Sequence, residues 1–189
     1  MDIYIITGPP YSGKGTQSEI LTRELQLKHI STGDRCRLEQ EQQTAIGLVM
    51  AEYHRKGDLV PDSIMKSLFG QILDENIEEI GIILDGYPRT TAQVDTLLEL
   101  VREKGLRIKR VLNIEVPRAE LMKRAMERAS TSDREDDKAP ATHIKRIEIF
   151  EATTKPAIAY MKEKLRVDTF NGMGTIEETS RLIRKSFNQ

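Results

Sequence analysis

The sequence contains one cysteine, no tryptophan, four phenylalanines and five tyrosines in 189 residues. A lone Cys36 excludes an intrachain disulfide framework and any cysteine-rich zinc site, and reads as a small buried hydrophobe. Aromatic side chains make up 5% of the chain, too few to interleave with a basic stripe as a stacking platform, so no nucleic-acid partner is expected. No run approaches the roughly 18 apolar residues of a membrane-spanning helix. Asp2 follows Met1 where a secretory leader would carry basic residues. The expectation is therefore a cytoplasmic protein without membrane attachment. Net charge is small too, 29 Lys and Arg against 30 Asp and Glu. A chain that is 31% charged could be disordered, but its 38% hydrophobic residues fall in patterned blocks, as in one folded domain with a sizeable core. The near-zero sum conceals an asymmetry: residues 1–100 carry 9 basic and 16 acidic side chains, residues 101–189 carry 20 and 14.

Short β-branched runs alternate with longer segments of helical period. Asp2–Ile6, Gly81–Leu84, Lys109–Val116 and Leu165–Phe170 read as strands, with Lys28–Ser31 as a further apolar tick. Gly81–Leu84 is continuously apolar, as in a parallel sheet buried on both faces. Gly13–Leu25, Asp62–Leu73 behind Pro61, Thr90–Lys104 ending at Gly105, and Pro117–Arg128 read as helices. Residues 35–56 are polar with helical propensity, residues 129–140 are the most polar stretch, a long helix interrupted at Pro156 reaches about Lys164, and a last one begins near Thr175. Alternation over the whole length predicts a doubly wound α/β sheet without a linker between two domains. Ligands of such sheets bind beyond the carboxyl ends of the strands.

Gly8-Pro9-Pro10-Tyr11-Ser12-Gly13-Lys14-Gly15-Thr16-Gln17 directly follows the first strand. In G-x4-G-K between a strand and a helix, the backbone N–H groups curl around phosphate oxygens, the helix N-terminus adds partial positive charge and Lys14 supplies a mobile cation. The general motif has Ser or Thr after the lysine as a magnesium ligand; here Gly15 takes that place and Thr16 comes one later. A metal would accordingly have few direct protein ligands. No Asn-Lys-x-Asp base-reading motif follows, which disfavours a regulatory GTPase. The spacing predicts nucleoside triphosphate binding.

The Gly-Lys-Gly-Thr-Gln variant is followed by Ile30-Ser31-Thr32-Gly33-Asp34-Arg35-Cys36-Arg37, Gly57-Asp58-Leu59-Val60-Pro61-Asp62 and Leu84-Asp85-Gly86-Tyr87-Pro88-Arg89-Thr90-Thr91-Ala92-Gln93. With Arg124, Arg128, Arg134-Glu135-Asp136-Asp137, Arg146 and Thr154-Lys155-Pro156 in the same order, the chain resembles the adenylate kinases along nearly its whole length. The resemblance implies a P-loop three-layer α/β fold: a central five-stranded parallel sheet flanked by helices, in a single domain. Its core would comprise 1–30, 61–127 and 138–189, with a helical AMP-binding flap at 31–60 and a short lid at 128–137. Only five residues separate Arg128 from Arg134, which leaves no room for a zinc-binding lid.

The implied function is reversible Mg2+-dependent transfer of the terminal phosphoryl group of ATP to AMP, giving two ADP, by a monomer. Tyr11, Ser12, Gly13, Lys14, Gly15, Thr16, Arg128 and Gly174 would bind ATP. Thr32, Arg37, Asp58, Leu59, Val60, Gly86, Tyr87, Pro88, Arg89, Gln93, Arg134 and Arg146 would bind AMP, with Thr32 and Gln93 reading adenine. Lys14, Arg89, Arg124, Arg128, Arg134 and Arg146 would stabilise the transferred group, and Asp85 would meet magnesium through water. Other readings of single residues stand beside these: Arg124 also fits an i,i+4 surface pair with Glu120, Thr32 a helix cap, and Asp85 a turn cap.

The residue types suit the chemistry. The acceptor oxygen of AMP is already ionised near neutral pH, so no strong base is needed; the demand is to join two polyanions and to stabilise charge on the equatorial oxygens in flight. Bidentate guanidinium groups do this better than ammonium groups, and none of the three histidines needs a role. Closure over both substrates would exclude water. Three departures from the family pattern stand out. Tyr11 replaces a usual glycine, Asp58 a basic or polar residue, and Lys138-Ala139-Pro140 an acidic helix start, with one additional residue before Arg146. A UMP or CMP kinase is the nearest alternative; Thr32, Thr90 and Gln93 favour adenine. A non-catalytic adenylate-binding regulatory protein is the other, and the intact Lys14, Asp85 and arginine set count against it.

Overall fold

The computed structural model describes residues 1–56, 58–131 and 140–187. In chain order its elements are β1 (Asp2–Thr7), α1 (Lys14–Leu25), β2 (Lys28–Ser31), α2 (Thr32–Glu41), α3 (Ala45–Lys56), α4 (Asp62–Glu75), β3 (Gly81–Asp85), α5 (Thr91–Glu103) and β4 (Arg107–Glu115). There follow α6 (Arg118–Thr131), α7 (Pro140–Ile149), a π-helical turn (Phe150–Thr154), α8 (Lys155–Lys164), β5 (Val167–Asn171) and α9 (Ile176–Phe187). The strands form one five-stranded sheet in the order β2-β3-β1-β4-β5, every pairing parallel.

Side chains of a strand alternate between the faces of the sheet, and each face here has its own core. Ile3 and Ile5 of β1, Ile82 and Leu84 of β3 and Val111 of β4 pack with Leu68, Phe69 and Leu73 of α4, Val94 and Leu97 of α5, and Met161 of α8. Ile6, Ile83, Leu112 and Ile114 face the opposite way, onto Leu21 of α1, Leu121 of α6, Ile147 of α7 and Ile183 of α9. Because helices cover both faces, Gly81–Leu84 is fully buried along its length, which is why β3 lacks polar alternation.

Two stretches differ in detail from the sequence reading. Residues 35–56 form two helices rather than one polar segment. The break falls at Gln42–Thr44, where Gln43 has φ 51° and the Thr44 hydroxyl accepts the Gly47 amide at 3.0 Å. The long helix before Lys164 is interrupted ahead of Pro156: Lys155 N–H bonds to the Phe150 carbonyl in a π-helical step. Proline has no N–H to give the carbonyl four residues back and its ring crowds that carbonyl, so the widened turn precedes it. No described helix is long and apolar enough to cross a membrane.

The topology decides where chemistry can occur. From β1 the chain passes to β2 at the edge, returns through β3 beside β1, and then crosses to β4 on the other side. The carboxyl ends of β1 and β3 are therefore neighbours, with Ile6 opposite Asp85. They deliver the Gly8–Gly15 loop and the Asp85–Arg89 segment to one crevice.

Candidate active site

A cleft of about 510 Å3 opens at these strand ends, lined by the phosphate loop, α2, residues 58–60, the segment after β3, Arg128 of α6 and Arg146 of α7. Gly8 begins the loop with φ 138°, and a Cβ there would lie 2.3 Å from the Ile114 carbonyl oxygen, so only glycine lets the loop leave β1 so close to β4. Gly13 stands at the N-cap of α1, whose first turn begins with Lys14. Lys14 donates to the Pro9 carbonyl at 2.7 Å, which holds its ammonium over the loop. Burial lowers its pKa to about 8; Asp85 opposes the shift, and Arg89 and Arg128 add repulsion.

Asp85 closes β3 and faces the loop. Its Oδ2 lies 3.8 Å from where a Gly15 Cβ would stand, and His29 Nε2 on β2 approaches it at 3.6 Å. Among the described residues no group of three His, Cys, Asp or Glu side chains could hold a metal by itself. A single carboxylate beside a phosphate loop fits Mg2+ that arrives on a nucleotide, because that ion keeps several waters and takes few protein ligands.

The side of the cleft between α2 and the segment after β3 is a hydrogen-bonded lattice. Thr32 is buried, and its hydroxyl donates to the Asp85 carbonyl at 3.1 Å, fixing the start of α2 to the end of β3. Gly86 has φ 87°, and a Cβ there would come within 2.9 Å of the Thr32 hydroxyl and 3.0 Å of an Arg89 nitrogen. Arg89 Nε donates to the Gly86 carbonyl at 2.6 Å. Its guanidinium is open to the cleft but crowded by protein on its other sides. That burial lowers its pKa, with Asp85 opposing and Arg146 and Arg37 assisting. Gln93 is buried; it accepts the Arg89 amide at 2.8 Å and donates to Asp62 at 2.6 Å. The Tyr87 ring stacks on Phe69 at 4.5 Å, and burial pushes its phenol up. Arg37 pairs with Asp34. Burial likewise raises the Cys36 thiol, in keeping with an inert core residue.

Most of the residues singled out in the sequence meet in this one cleft: Tyr11, Gly13, Lys14, Gly15, Thr16, Thr32, Arg37, Asp58, Leu59, Val60, Asp85, Gly86, Pro88, Arg89, Gln93, Arg128 and Arg146. Ser12 and Tyr87 are buried behind it. Arg124 and Gly174 do not line it. Arg124 donates to Glu120 at 2.8 Å and to the Gly172 carbonyl at 2.9 Å, joining α6 to the loop that carries Gly174. Gly57 and Arg134 lie outside the described residues, as does most of the expected lid and the Lys138–Ala139 register.

Two histidines that sequence reasoning left without a role stand at the site. His29 faces Asp85, and His143 of α7 meets Tyr11 across 132 residues of chain at 2.5 Å. No local motif announces either one. Tyr11 itself has φ 66°, a left-handed conformation that costs a non-glycine residue about 1–2 kcal/mol.

A sequence-family model described as adenylate kinase matches residues 6–166. The chain is 38% identical over 184 residues to an adenylate kinase of Parabacteroides distasonis, covering 97% of this chain and 96% of that protein. It is 37% identical over 173 residues to an adenylate kinase of Bacteroides thetaiotaomicron, covering 92% and 91%, and 37% identical over 182 residues to one of Leptospira biflexa, covering 96% and 97%. With the match running through the phosphate loop, Asp85, Arg89, Arg128 and Arg146 alike, the chain belongs to the adenylate kinase family.

Proposed function

We propose that the cleft transfers the terminal phosphoryl group of ATP to AMP with ATP on the Lys14 side and AMP between α2, residues 58–60 and Arg89. The activity is that of the family: the enzyme is a nucleoside monophosphate kinase that converts ATP and AMP into two ADP. A phosphate oxygen of AMP attacks the γ-phosphorus, the bond from that phosphorus to the β,γ-bridging oxygen breaks, and the electron pair leaves on the β-phosphate of the ADP so formed. No proton has to be removed from the acceptor first.

The observation that carries this reading is geometric: Lys14 from the phosphate loop, Asp85 and Arg89 from the end of β3, Arg128 from α6 and Arg146 from α7 line one cleft. Lys14 and the loop amides hold the β- and γ-phosphates. Arg128 and Arg146 approach from α6 and α7, and Arg89 with Arg37 fixes the acceptor phosphate. Asp85 would hold the nucleotide's Mg2+ through water; when bound, that ion supplies neutralisation of charge between the β- and γ-phosphates. Arg134 belongs to the same set by its position in the motif. Arg124 acts through α6 and the Gly172 loop rather than on phosphate. The flap at 31–60 is the moving part that excludes water, the described residues outside it and outside the expected lid are the core, and the monomer is the working unit in the cytoplasm.

A coupled assay with Mg-ATP and, separately, AMP, UMP, CMP or GMP tests the reading. AMP is expected to give the highest kcat/KM. Faster turnover with UMP or CMP would overturn the adenine assignment, and no turnover with any acceptor would make the chain a binding protein.

A further inference from the structure

The Tyr11 side chain reaches out of the phosphate loop to a helix far along the chain. Its hydroxyl lies 2.5 Å from Nδ1 of His143 and its ring meets the imidazole edge-on, centroids 5.3 Å apart at 76°. Arg146, one turn further along α7, donates from Nη1 to the same hydroxyl at 3.5 Å. The Arg128 guanidinium sits 5.9 Å from the centre of the Tyr11 ring. His143 is 2% exposed, and its Nε2 has no hydrogen-bond partner among the described residues. The Tyr11 hydroxyl accepts an N–H from Arg146 and shares a hydrogen bond with His143 Nδ1, so the contacts form a chain from Arg146 through Tyr11 to His143. Burial with Nε2 unpaired costs stability, which leaves the Nδ1 contact with Tyr11 as the polar bond that fixes where this imidazole stands among the described residues. The left-handed backbone at Tyr11 gives the same indication, because such a conformation persists where surrounding contacts over-determine it.

We propose that Tyr11 and His143 are a positioning pair for phosphoryl transfer: a strut between the phosphate loop and α7 that sets Arg128 and Arg146 at a fixed distance from the phosphates held by Lys14. The proposal rests on the site reading above, in which both arginines act on phosphate. Neither Tyr11 nor His143 needs to exchange a proton with substrate. Tyr11 offers Arg128 a ring face and Arg146 an acceptor, and His143 fixes where that ring stands. A guanidinium misplaced by about 1 Å at the moment of transfer costs rate rather than ground-state binding, so the pair should appear in kcat more than in KM.

The test is steady-state kinetics of the full chain with Mg-ATP and AMP for the wild type, Tyr11→Phe, His143→Leu, His143→Asn and the Tyr11→Phe/His143→Leu double variant, each with its thermal midpoint. Tyr11→Phe and His143→Leu are expected to lower kcat about 10-fold with both KM values within about 2-fold, and the double variant to lose no more than either single one. His143→Asn, whose side-chain amide falls near the place of Nδ1, is expected to recover most of the rate. Wild-type kcat in Tyr11→Phe, multiplicative losses in the double variant, or an Asn variant as slow as the Leu variant would overturn the pair. So would losses that follow a falling midpoint across all variants. Arg146→Ala separates the two readings: near-normal kcat there would remove the site assignment itself, whereas a collapsed kcat beside a wild-type Tyr11→Phe would remove the strut alone.

Discussion

Asp58, between α3 and α4, and Lys145 on α7 meet at 2.7 Å across the cleft. The same helix thus reaches Asp58 through Lys145, the phosphate loop through His143, and the cleft through Arg146. Lys145 and Asp58 are well exposed, 41% and 38% by side chain, so the pair is worth only about 0.2–1 kcal/mol and is screened by salt. Under the proposed reading, in which 31–60 closes over the acceptor, such a contact would bias closure without locking it. Lys145→Gln is expected to raise KM for AMP about 2- to 5-fold at low salt with little change in kcat, and the effect should fade near 0.5 M salt. Asp58→Asn combined with Lys145→Gln should be no worse than Asp58→Asn alone. Equal KM for Lys145→Gln and wild type at low salt would mean that the contact does not influence closure.

Lys14 and Arg89 stand on opposite sides of the crevice, one from the β1 end and the other from the β3 end, and each is coupled to Asp85. Removing either leaves developing phosphate charge without a preorganised partner. Lys14→Met and Arg89→Ala are each expected to reduce kcat by at least about 100-fold while circular dichroism shows a folded chain. Near-normal rates in both would place the chemistry elsewhere.

The depressed pKa of Lys14, about 8 against an ordinary 10.5, has a sign that can be measured. In the nucleotide-free enzyme the ammonium is charged below about pH 8 and neutral above it. Bound phosphates favour the charged form, so Mg-ATP binding should draw in a proton above about pH 8 and none from this group well below. Calorimetry in buffers of different ionisation enthalpy, comparing wild type with Lys14→Met, cancels the nucleotide's own protons. Uptake is expected at pH 9 in the difference and not at pH 7. For folding, the unfolded chain holds this proton up to about 10.5, so between about 8 and 10.5 the group makes stability rise with pH; below 8 its burial penalty is fully present. Equal proton uptake by both proteins at pH 9 would contradict the assignment.

The strands and their burial between helices were legible because the apolar blocks carry their own periodicity: the unbroken Gly81–Leu84 run reads as a strand covered on both faces, and the phosphate loop follows from its spacing after Ile6; the strand order, set by pairings distant in sequence, was not. The acceptor side was legible only through motif resemblance, since Thr32, Gln93 and Arg89 come together through bonds to Asp85 and Asp62 that no local pattern displays. Arg124 shows the opposite case: its i,i+4 partner Glu120 was visible, but the Gly172 carbonyl that completes its environment lies 48 residues away. His143 carried no signal at all, because its partner Tyr11 is in another element at the far end of the chain.

Asp62 opens α4 and holds the acceptor lattice from behind, accepting the Thr90 hydroxyl at 3.1 Å and the Gln93 side-chain amide at 2.6 Å. Gln93 in turn accepts the Arg89 backbone amide at 2.8 Å, so Asp62 acts on Arg89 through one intermediate. In Asp62→Ala the buried Gln93 amide loses its acceptor, at a cost of about 1–3 kcal/mol, and the side chain gains freedom to rotate away from Arg89. Asp62→Asn keeps one carbonyl oxygen for the same bond. Asp62→Ala is therefore expected to lower the thermal midpoint and to raise KM for AMP about 5- to 20-fold, while KM for ATP changes less than 2-fold; Asp62→Asn should recover most of both. Discrimination between AMP and CMP should narrow in the Ala variant, because Gln93 is the buried amide on this side whose orientation Asp62 sets. Equal changes in KM for AMP and ATP, or an Asn variant as weak as Ala, would show that Asp62 serves the stability of α4 and not the acceptor site.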